Sequence, residues 1–346
     1  MSEEAGQKCR LQADFEPPAW LTNPHLMTLC RSVIPCGMAL RRQPAETAFI
    51  KVSQDTSLLA YCHLSGSDRL KPTFILVHGL EGSSQSSYIL GLAESAVKAG
   101  ANVIRLNLRN CGESLHLTPT LYNAGLSGDL LTVIDWLVES KHLTNLFLVG
   151  FSLGGNLVLK TAAELEHRLS AVSAVCAVSP SIDLDACVRS LEKGLCRAYE
   201  LNFLFSLKNK LIRKYKLFPD RYDLSQLAKV TRLRQFDDLY TAPDGGYANA
   251  AEYYLKASSL PLMNKIASPT LIITAQDDPI VPFELFSLIE TDFVRLLAPK
   301  HGGHGAFILR GDGIFGMAGP AERYWVDAQI LRFCFANSKN LNERAG

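Results

Sequence analysis

Short apolar runs alternate along the chain with longer segments in which apolar residues recur at helical spacing. Residues 73–77 are continuously apolar and end at His78-Gly79, a pattern typical of a strand buried on both faces. Residues 88–98 have helical periodicity, and Gly100 supplies a C-terminal stop. Because strands and helices continue to alternate in this way, the pattern predicts a mostly parallel sheet covered by helices on both faces.

Eight strands and four helices of the main domain follow from this pattern. The first strand alternates polar and apolar residues, as a half-exposed strand does, whereas most later strands are continuous apolar runs. We predict the strands at 48–53, 58–64, 73–77, 102–108, 145–149, 171–178, 270–274 and 294–298. We predict the helices at 88–98, 126–138, 153–166 and 322–335.

Two segments depart from this alternation. Residues 1–45 hold proline-containing turns and few periodic runs, so they are expected to form an irregular arm packed on a main domain at 46–338. An insertion of helices beside the carboxyl ends of the strands predicts a cap over a pocket at about 180–260. The alternative is a helical layer that only adds stability. The predicted cap helices are 185–191, 196–215, 224–233 and 248–256.

Composition narrows the class of protein. The 346 residues are 47% hydrophobic and carry 35 basic against 34 acidic side chains, so the chain is globular and has no basic excess for nucleic-acid binding. The nine cysteines include no C-x-x-C pair, and several lie in apolar runs, so reduced thiols in a cytoplasmic protein are expected. The polar, acidic start and the lack of a run of about 18 apolar residues predict neither a secretory signal nor a membrane span.

The most specific motif is Gly-Phe-Ser-Leu-Gly-Gly at 150–155, between a predicted strand and a predicted helix. A nucleophile elbow requires this context, because a tight strained turn projects the serine hydroxyl and the glycines leave room for the backbone. We therefore predict Ser152 as a nucleophile, with the Leu153 amide at the helix start donating to an oxyanion. A second donor, the Leu80 amide, is expected from the loop after the strand at 73–77.

A serine nucleophile needs a base, and in sites of this kind the acid and then the histidine follow it in the chain, each after a sheet strand. Asp277 and Asp278 follow one predicted strand, and His301 and His304 follow the next. Asp278 directly precedes Pro-Ile-Val-Pro, the usual position of the acid, so Asp278 is preferred and Asp277 is expected to cap a turn or a nearby helix. Glycines on both sides of His304 favour it over His301, which we expect to support the site or cap the loop.

Three other features carry less weight. His301 and His304 have a spacing that metal sites use, but no third ligand with suitable spacing is near, so no metal is expected. His78 at a strand end is expected to hold its loop by hydrogen bonds rather than to act as a second base. Residues 311–316 match G-x-G-x-x-G but follow no clear strand and open no obvious helix, so a glycine-rich turn is expected and no dinucleotide cofactor.

Seven motifs stand in a fixed order along most of the chain. They are Asn23-Pro24-His25-Leu26 with Thr28, His78-Gly79-Leu80-Glu81-Gly82-Ser83, Gly150 to Asn156, Phe236-Asp237-Asp238, Gly246-Tyr247, Asp277-Asp278-Pro279 and His301-Gly302-Gly303-His304. In this combination the chain resembles the YheT-like branch of the α/β-hydrolase superfamily over roughly residues 15–335. The resemblance implies an α/β-hydrolase fold, with an eight-stranded, mostly parallel sheet flanked by helices and a helical cap. It matches Ser152, Asp278 and His304 to the family's triad.

The resemblance also implies an activity. It suggests a serine hydrolase acting on carboxylic esters, and animal relatives include membrane-anchored lipases and phospholipases that cleave glycerolipids. This chain is expected to lack such an anchor and looks more like the bacterial soluble members. It departs from the pattern at Asn110, where relatives often have Gly, and at Asn123, where His is expected. Both departures lie outside the triad and bear on the rim of the pocket.

We therefore expect a serine esterase or lipase that needs no cofactor, with a small-molecule ester or lipid as substrate and no nucleic-acid partner. Two alternatives remain: an acyltransferase that uses the same triad with an alcohol or thiol acceptor, and a non-catalytic ligand-binding protein. Lys208, Lys210, Arg213 and Lys214 form a basic cluster in the predicted cap. This cluster is either a solvated helix face or a site of peripheral contact with anionic lipid.

Overall fold

The computed structural model describes residues 10–11, 14–34, 36–66, 68–319 and 323–339. Its strands are β1 (Arg10–Leu11), β2 (Glu46–Ser53), β3 (Thr56–His63), β4 (Thr73–Val77), β5 (Asn102–Asn107), β6 (Leu146–Phe151), β7 (Val172–Val178), β8 (Thr270–Ile273) and β9 (Val294–Leu297). Within the described ranges they form one sheet in the order β1-β9-β8-β7-β6-β4-β5-β3-β2. Neighbouring strands are parallel except where β3 pairs with β2 and with β5.

The eight predicted strands and the mostly parallel sheet are confirmed. The ninth strand, β1, has two residues and pairs in parallel with β9 at the edge of the sheet. A strand this short has no readable periodicity, so the hydrophobic pattern did not indicate it.

Helices cover both faces of this sheet, and a further group of helices forms an insertion between β7 and β8. The helices are α1 (Pro24–Val33), α2 (Met38–Arg41), α3 (Ser87–Lys98), α4 (Ser127–Glu139), α5 (Leu153–Ala163), α6 (Leu184–Leu191), α7 (Arg197–Leu217), α8 (Leu233–Phe236), α9 (Ala242–Asp244), α10 (Ala250–Ala257) and α11 (Trp325–Ala336), of which α6 to α10 belong to the insertion. Phe74 of β4 belongs to an apolar cluster with residues of α3 and α11, and its neighbour Ile75 belongs to a second cluster with residues of α4 and α5. Successive residues of a strand point to opposite faces, so β4 is buried on both.

The N-terminal arm is more regular than the sequence analysis predicted. The Asn23 side chain accepts hydrogen bonds from the amides of His25 and Leu26, and Pro24 takes the first helical position, so α1 begins where a proline-containing turn was predicted. Met27 of α1 is fully buried against the main core. The prediction of an irregular arm was therefore wrong for the two helices α1 and α2; residues 1–9, 12 and 13 lie outside the described part.

A helical insertion follows β7 and ends before β8, where a cap was predicted. Its predicted helix at 224–233 is wrong: the segment forms a short 3-10 turn, and α8 begins only at Leu233. The amides of Thr231 and Arg232 donate to the Gln235 side chain, which marks a helix start at the point where an end was predicted. The predicted last helix corresponds to α11; Glu322 lies outside the described residues. None of the described helices combines the length and the apolar character needed to span a bilayer.

Candidate active site

Ser152 lies on a sharp turn between the end of β6 and the start of α5. Its backbone is in an unfavourable conformation for a residue with a side chain, with φ +53° and ψ −118°. The turn is held because the Ser152 amide donates to the Val178 carbonyl oxygen at 2.8 Å on the neighbouring strand. A Cβ atom on Gly150 would lie 2.1 Å from the Gly154 carbonyl oxygen, so the turn closes only with glycine at 150.

The structure brings the three predicted side chains together in one chain of hydrogen bonds. Ser152 Oγ lies 2.9 Å from His304 Nε2, and His304 Nδ1 lies 2.9 Å from Asp278 Oδ2 and 3.1 Å from Oδ1. The Asp278 side chain is completely buried, and that of His304 is 13% exposed. These contacts can polarise the serine hydroxyl toward the imidazole and hold the imidazole in one orientation.

The two neighbouring aspartates have different partners. Asp278 Oδ1 accepts from the Ile280 amide at 2.9 Å and from the Val281 amide at 3.0 Å, which aims the carboxylate at His304. Asp277 instead accepts from the Gly303 amide at 3.0 Å and pairs with His301 Nδ1 at 3.1 Å. Burial raises the pKa of Asp277. Asp277 and His301 thus brace the loop that carries His304 and do not touch Ser152 Oγ.

The loop of His304 is also supported by the N-terminal arm. Thr28 Oγ1 accepts from the His304 amide at 2.9 Å, and a Cβ atom on Gly303 would lie 2.6 Å from the Pro24 carbonyl oxygen. In the sequence Thr28 stands out only as part of a family motif, and nothing in its local sequence indicates a contact with a residue 276 positions away. Glycine at 303, where φ is +56°, allows both the close approach and the turn.

His78 fixes the loop that follows β4 by hydrogen bonds to backbone atoms. Its Nδ1 lies 2.8 Å from the Gly79 carbonyl oxygen, and its Nε2 accepts from the Leu108 amide at 3.1 Å, so the proton is assigned to Nδ1. Complete burial lowers the pKa of His78 to about 4. The ring is therefore neutral at pH 7, and both of its nitrogens are used to hold backbone.

Two cavities meet at Ser152. A closed cavity of about 80 Å³ extends beneath the insertion, and an open cavity of about 660 Å³ leads to the surface. The side chains common to both are Leu80, Ser152, Phe203, Ile280 and His304. Six of the other residues of the closed cavity are apolar and come from α6, α7 and α8, among them Val188, Leu207 and Leu233. The insertion therefore forms the roof of the site, and Leu80 and Leu153 both lie at the closed cavity.

The structure also shows how the two features considered for a metal or a nucleotide are arranged. No group of three or more His, Cys, Asp or Glu side chains among the described residues is arranged to hold a metal ion. The 311–316 segment is a turn in which the Gly311 amide donates to the Gly316 carbonyl oxygen at 3.0 Å, and it opens no helix longer than a three-residue 3-10 turn.

Comparisons with known proteins identify the family and the fold. The family model of the alpha/beta hydrolase fold matches residues 72–310. YheT of Escherichia coli (strain K12) is 34% identical over 304 residues, covering 86% of this chain and 87% of YheT. The monoacylglycerol lipase of Saccharomyces cerevisiae (strain ATCC 204508 / S288c) is 32% identical over 320 residues, covering 86% of this chain and 68% of the lipase. The solved 2,6-dihydroxy-pseudo-oxynicotine hydrolase has a TM-score of 0.58 at 18% identity, covering 91% of this chain and 73% of its own.

The family is therefore settled by sequence as well as by fold. The matched segment contains all three triad candidates, and the two relatives exceed 30% identity over most of this chain. The chain belongs to the α/β-hydrolase family, in the branch that contains YheT.

Proposed function

We propose that the protein is a serine hydrolase that cleaves carboxylic esters. The observation that carries the proposal is the continuous hydrogen-bonded chain from Ser152 through His304 to Asp278 at the meeting point of two largely apolar cavities. YheT carries an esterase name and the yeast relative a lipase name, and both names support the same reaction class.

In the first half of the reaction, Ser152 Oγ attacks the ester carbonyl carbon while His304 Nε2 takes the hydroxyl proton. The imidazolium that forms is stabilised by the Asp278 carboxylate, which itself stays ionised. The carbonyl oxygen becomes an oxyanion, and we assign its two hydrogen-bond donors to the amides of Leu80 and Leu153. The tetrahedral intermediate then collapses, His304 gives the proton to the departing alcohol, and an acyl-enzyme remains on Ser152.

In the second half, water enters the position that the alcohol has left. His304 removes a proton from this water, whose oxygen attacks the acyl carbonyl carbon, and the same amides hold the second oxyanion. Collapse of this intermediate releases the carboxylic acid and returns the proton to Ser152 Oγ. No proton or electron is needed from outside these groups.

The cavities favour an apolar, lipid-like substrate. The open cavity has apolar walls that include Tyr88, Val178 and Ala198, and its mouth carries the exposed side chains of Leu29 and Leu195. Burial of an alkyl chain along these walls contributes about 0.8 kcal/mol per methylene group. The exposed apolar mouth also supports peripheral contact with a lipid surface, from which such a chain would enter.

The test is hydrolysis of p-nitrophenyl esters from acetate to dodecanoate by wild type and by Ser152→Ala. We expect wild-type turnover and a loss of at least about 10³-fold in the variant, because the nucleophile is absent. Ser181→Ala is the matched control: Ser181 also lies at the closed cavity but contacts no triad side chain through its hydroxyl, so activity should stay within about tenfold. The same assay with added glycerol distinguishes hydrolysis from acyl transfer. A hydrolase releases mainly free acid, whereas an acyltransferase forms mainly a new glycerol ester.

Two results would contradict the proposal. The first is a wild-type protein that hydrolyses none of the esters and is not labelled at Ser152 by a fluorophosphonate. The second is a Ser152→Ala variant that hydrolyses them as fast as the control variant.

A further inference from the structure

The residue after the proposed oxyanion donor Leu80 has an unusual backbone. Glu81 has φ +56°, in the left-handed region that residues with a side chain rarely adopt. Unlike asparagine, glutamate is not enriched in this region, so its conformation must be held by contacts from the surrounding structure. The Leu80 N–H lies in the peptide unit between Gly79 and Leu80, one unit before the one that Glu81 ends. Contacts that hold Glu81 in place therefore restrict the short loop from which the Leu80 amide points.

The Glu81 carboxylate is a buried acceptor with three side-chain donors. The Glu81 side chain is 8% exposed, and its carboxylate accepts from Tyr122 Oη at 2.9 Å, from Lys210 Nζ at 2.6 Å and from Ser206 Oγ. The Glu81 amide itself donates to Tyr122 Oη at 2.8 Å. Both the main chain and the side chain of this residue are thus tied to fixed partners.

Two of these donors come from the cap. Ser206 and Lys210 lie one turn apart on one face of α7, the helix that also supplies Phe203 and Leu207 to the closed cavity. The Lys210 side chain is 15% exposed, and its ammonium lies 4.6 Å from the centre of the Tyr122 ring. The helix that roofs the cavity is therefore bonded directly to the loop that carries the Leu80 amide.

None of these groups has a part in the proton transfers of the proposed mechanism. A buried ion pair of this kind can simply fasten two parts of a fold. The pair of Arg109 and Asp129 provides such a case, with an Nη2–Oδ1 distance of 2.6 Å and side chains that are 14% and 6% exposed. The Glu81 pair differs because it joins the oxyanion loop to the cap.

We propose that Glu81 is a positioning residue for ester hydrolysis: its bonds to Ser206 and Lys210 hold the Leu80 amide toward the oxyanion. The oxyanion site is then complete only while α7 is seated on the body of the protein. This inference rests on the proposed function.

The experiment compares Glu81→Gln, Ser206→Ala and Lys210→Met with the control Asp129→Asn, an amide substitution in an ion pair of matching burial. For each protein we would measure kcat and KM with p-nitrophenyl butyrate, and Ki for a trifluoromethyl ketone with the same alkyl chain. That ketone forms a tetrahedral adduct with the serine and needs the oxyanion donors, whereas ground-state binding needs them less. Thermal unfolding would be followed in parallel, and each variant assayed well below its Tm.

We expect Glu81→Gln and Lys210→Met to lower kcat by about 10- to 100-fold, since a displacement of about 1 Å in a catalytic group has an effect of this size. Ki should rise by a similar factor while KM stays within about threefold. Ser206→Ala leaves the ion pair in place, so we expect a smaller loss of about threefold to tenfold in kcat with the same rise in Ki. Asp129→Asn should change neither kcat nor Ki by more than about threefold, even if its Tm falls.

The proposal is overturned if the three variants behave as Asp129→Asn does, losing stability but keeping kcat and Ki. If Lys210→Met does not fold, Glu81→Gln and Ser206→Ala decide the question. Labelling of wild-type Ser152 by a fluorophosphonate separates the two proposals. An unlabelled wild type refutes the hydrolase itself, and a labelled wild type with unaffected variants refutes only the role of Glu81.

Discussion

Replacement of Asp278 by asparagine tests whether the site depends on a carboxylate beside His304. Asp278 Oδ1 accepts from the amides of Ile280 and Val281, so the carbonyl oxygen of an asparagine must take that position. The amide nitrogen is then left facing His304 Nδ1, where Oδ2 of the carboxylate now lies at 2.9 Å. The amide nitrogen repels the Nδ1–H, and the acceptor left for it is the carbonyl oxygen at 3.1 Å, which is already bonded to two backbone amides. The tautomer with its proton on Nε2 is therefore favoured, and in that tautomer Nε2 can no longer accept from Ser152.

The size of the effect follows from two contributions. The carboxylate is fully buried beside an imidazolium that forms during the reaction, and charges about 4 Å apart attract by about 4 kcal/mol at an effective dielectric constant near 20. Loss of this attraction alone corresponds to about 10³-fold in rate, because each 1.36 kcal/mol is a factor of ten. The wrong tautomer adds to it, so we expect Asp278→Asn to lower kcat by about 10³- to 10⁴-fold.

The assay is kcat and KM for p-nitrophenyl butyrate, together with the rate of Ser152 labelling by a fluorophosphonate. Asp277→Asn is the matched control, because Asp277 carries the same charge one position earlier but contacts His301 and the Gly303 amide. Asp277→Asn weakens the support of the loop that carries His304 but leaves the Asp278 charge beside the imidazole. Its kcat should therefore fall by less than about tenfold.

Either of two outcomes would refute this reasoning. If Asp278→Asn kept more than about a tenth of wild-type kcat, the imidazole would not depend on the buried carboxylate. If Asp277→Asn lost as much as Asp278→Asn, the assignment of the acid would be wrong.

Three further predictions concern the elbow, the roof and pH. Gly150→Ala should lower the free energy of unfolding, measured by chemical denaturation, by about 4 kcal/mol or prevent folding, since its Cβ would lie 2.1 Å from a backbone oxygen. The control is Gly128→Ala, whose Cβ would have no atom within 4 Å and which should be neutral or slightly stabilising. Phe203→Ala should join the two cavities and shift the best p-nitrophenyl ester to a longer acyl chain; an unchanged chain-length profile would contradict this. Burial raises the pKa of Asp237 to about 6 from 3.8, so the proton is bound more tightly in the folded state. Relative to Asp237→Asn, wild type should gain about 3 kcal/mol in free energy of unfolding as pH falls from above 6 to below 4. The same difference in free energy of unfolding between the two proteins at both pH values would contradict the raised pKa.

The parallel core was predictable because its strands are buried on both faces and leave continuous apolar runs, as residues 73–77 do. The helix α1 was missed because Asn23 and Pro24 are residues of turns as well as of helix starts, and only the capping bonds separate the two. The helix predicted at 224–233 failed for a related reason. Its residues suit a helix, but the Gln235 side chain accepts hydrogen bonds from the amides of Thr231 and Arg232. A helix therefore starts where the predicted one was to end.

The sequence by itself determined the eight main strands, the turn around Ser152 and the positions at which the candidate acid and base follow. These features depend on local periodicity and on strand ends that a parallel sheet must bring to one edge. Only the tertiary structure decided that Asp278 rather than Asp277 faces His304, and that Ser206 and Lys210 hold Glu81. Such contacts join residues up to 129 positions apart, and the direction of each side chain is set by backbone bonds and packing that no local pattern specifies.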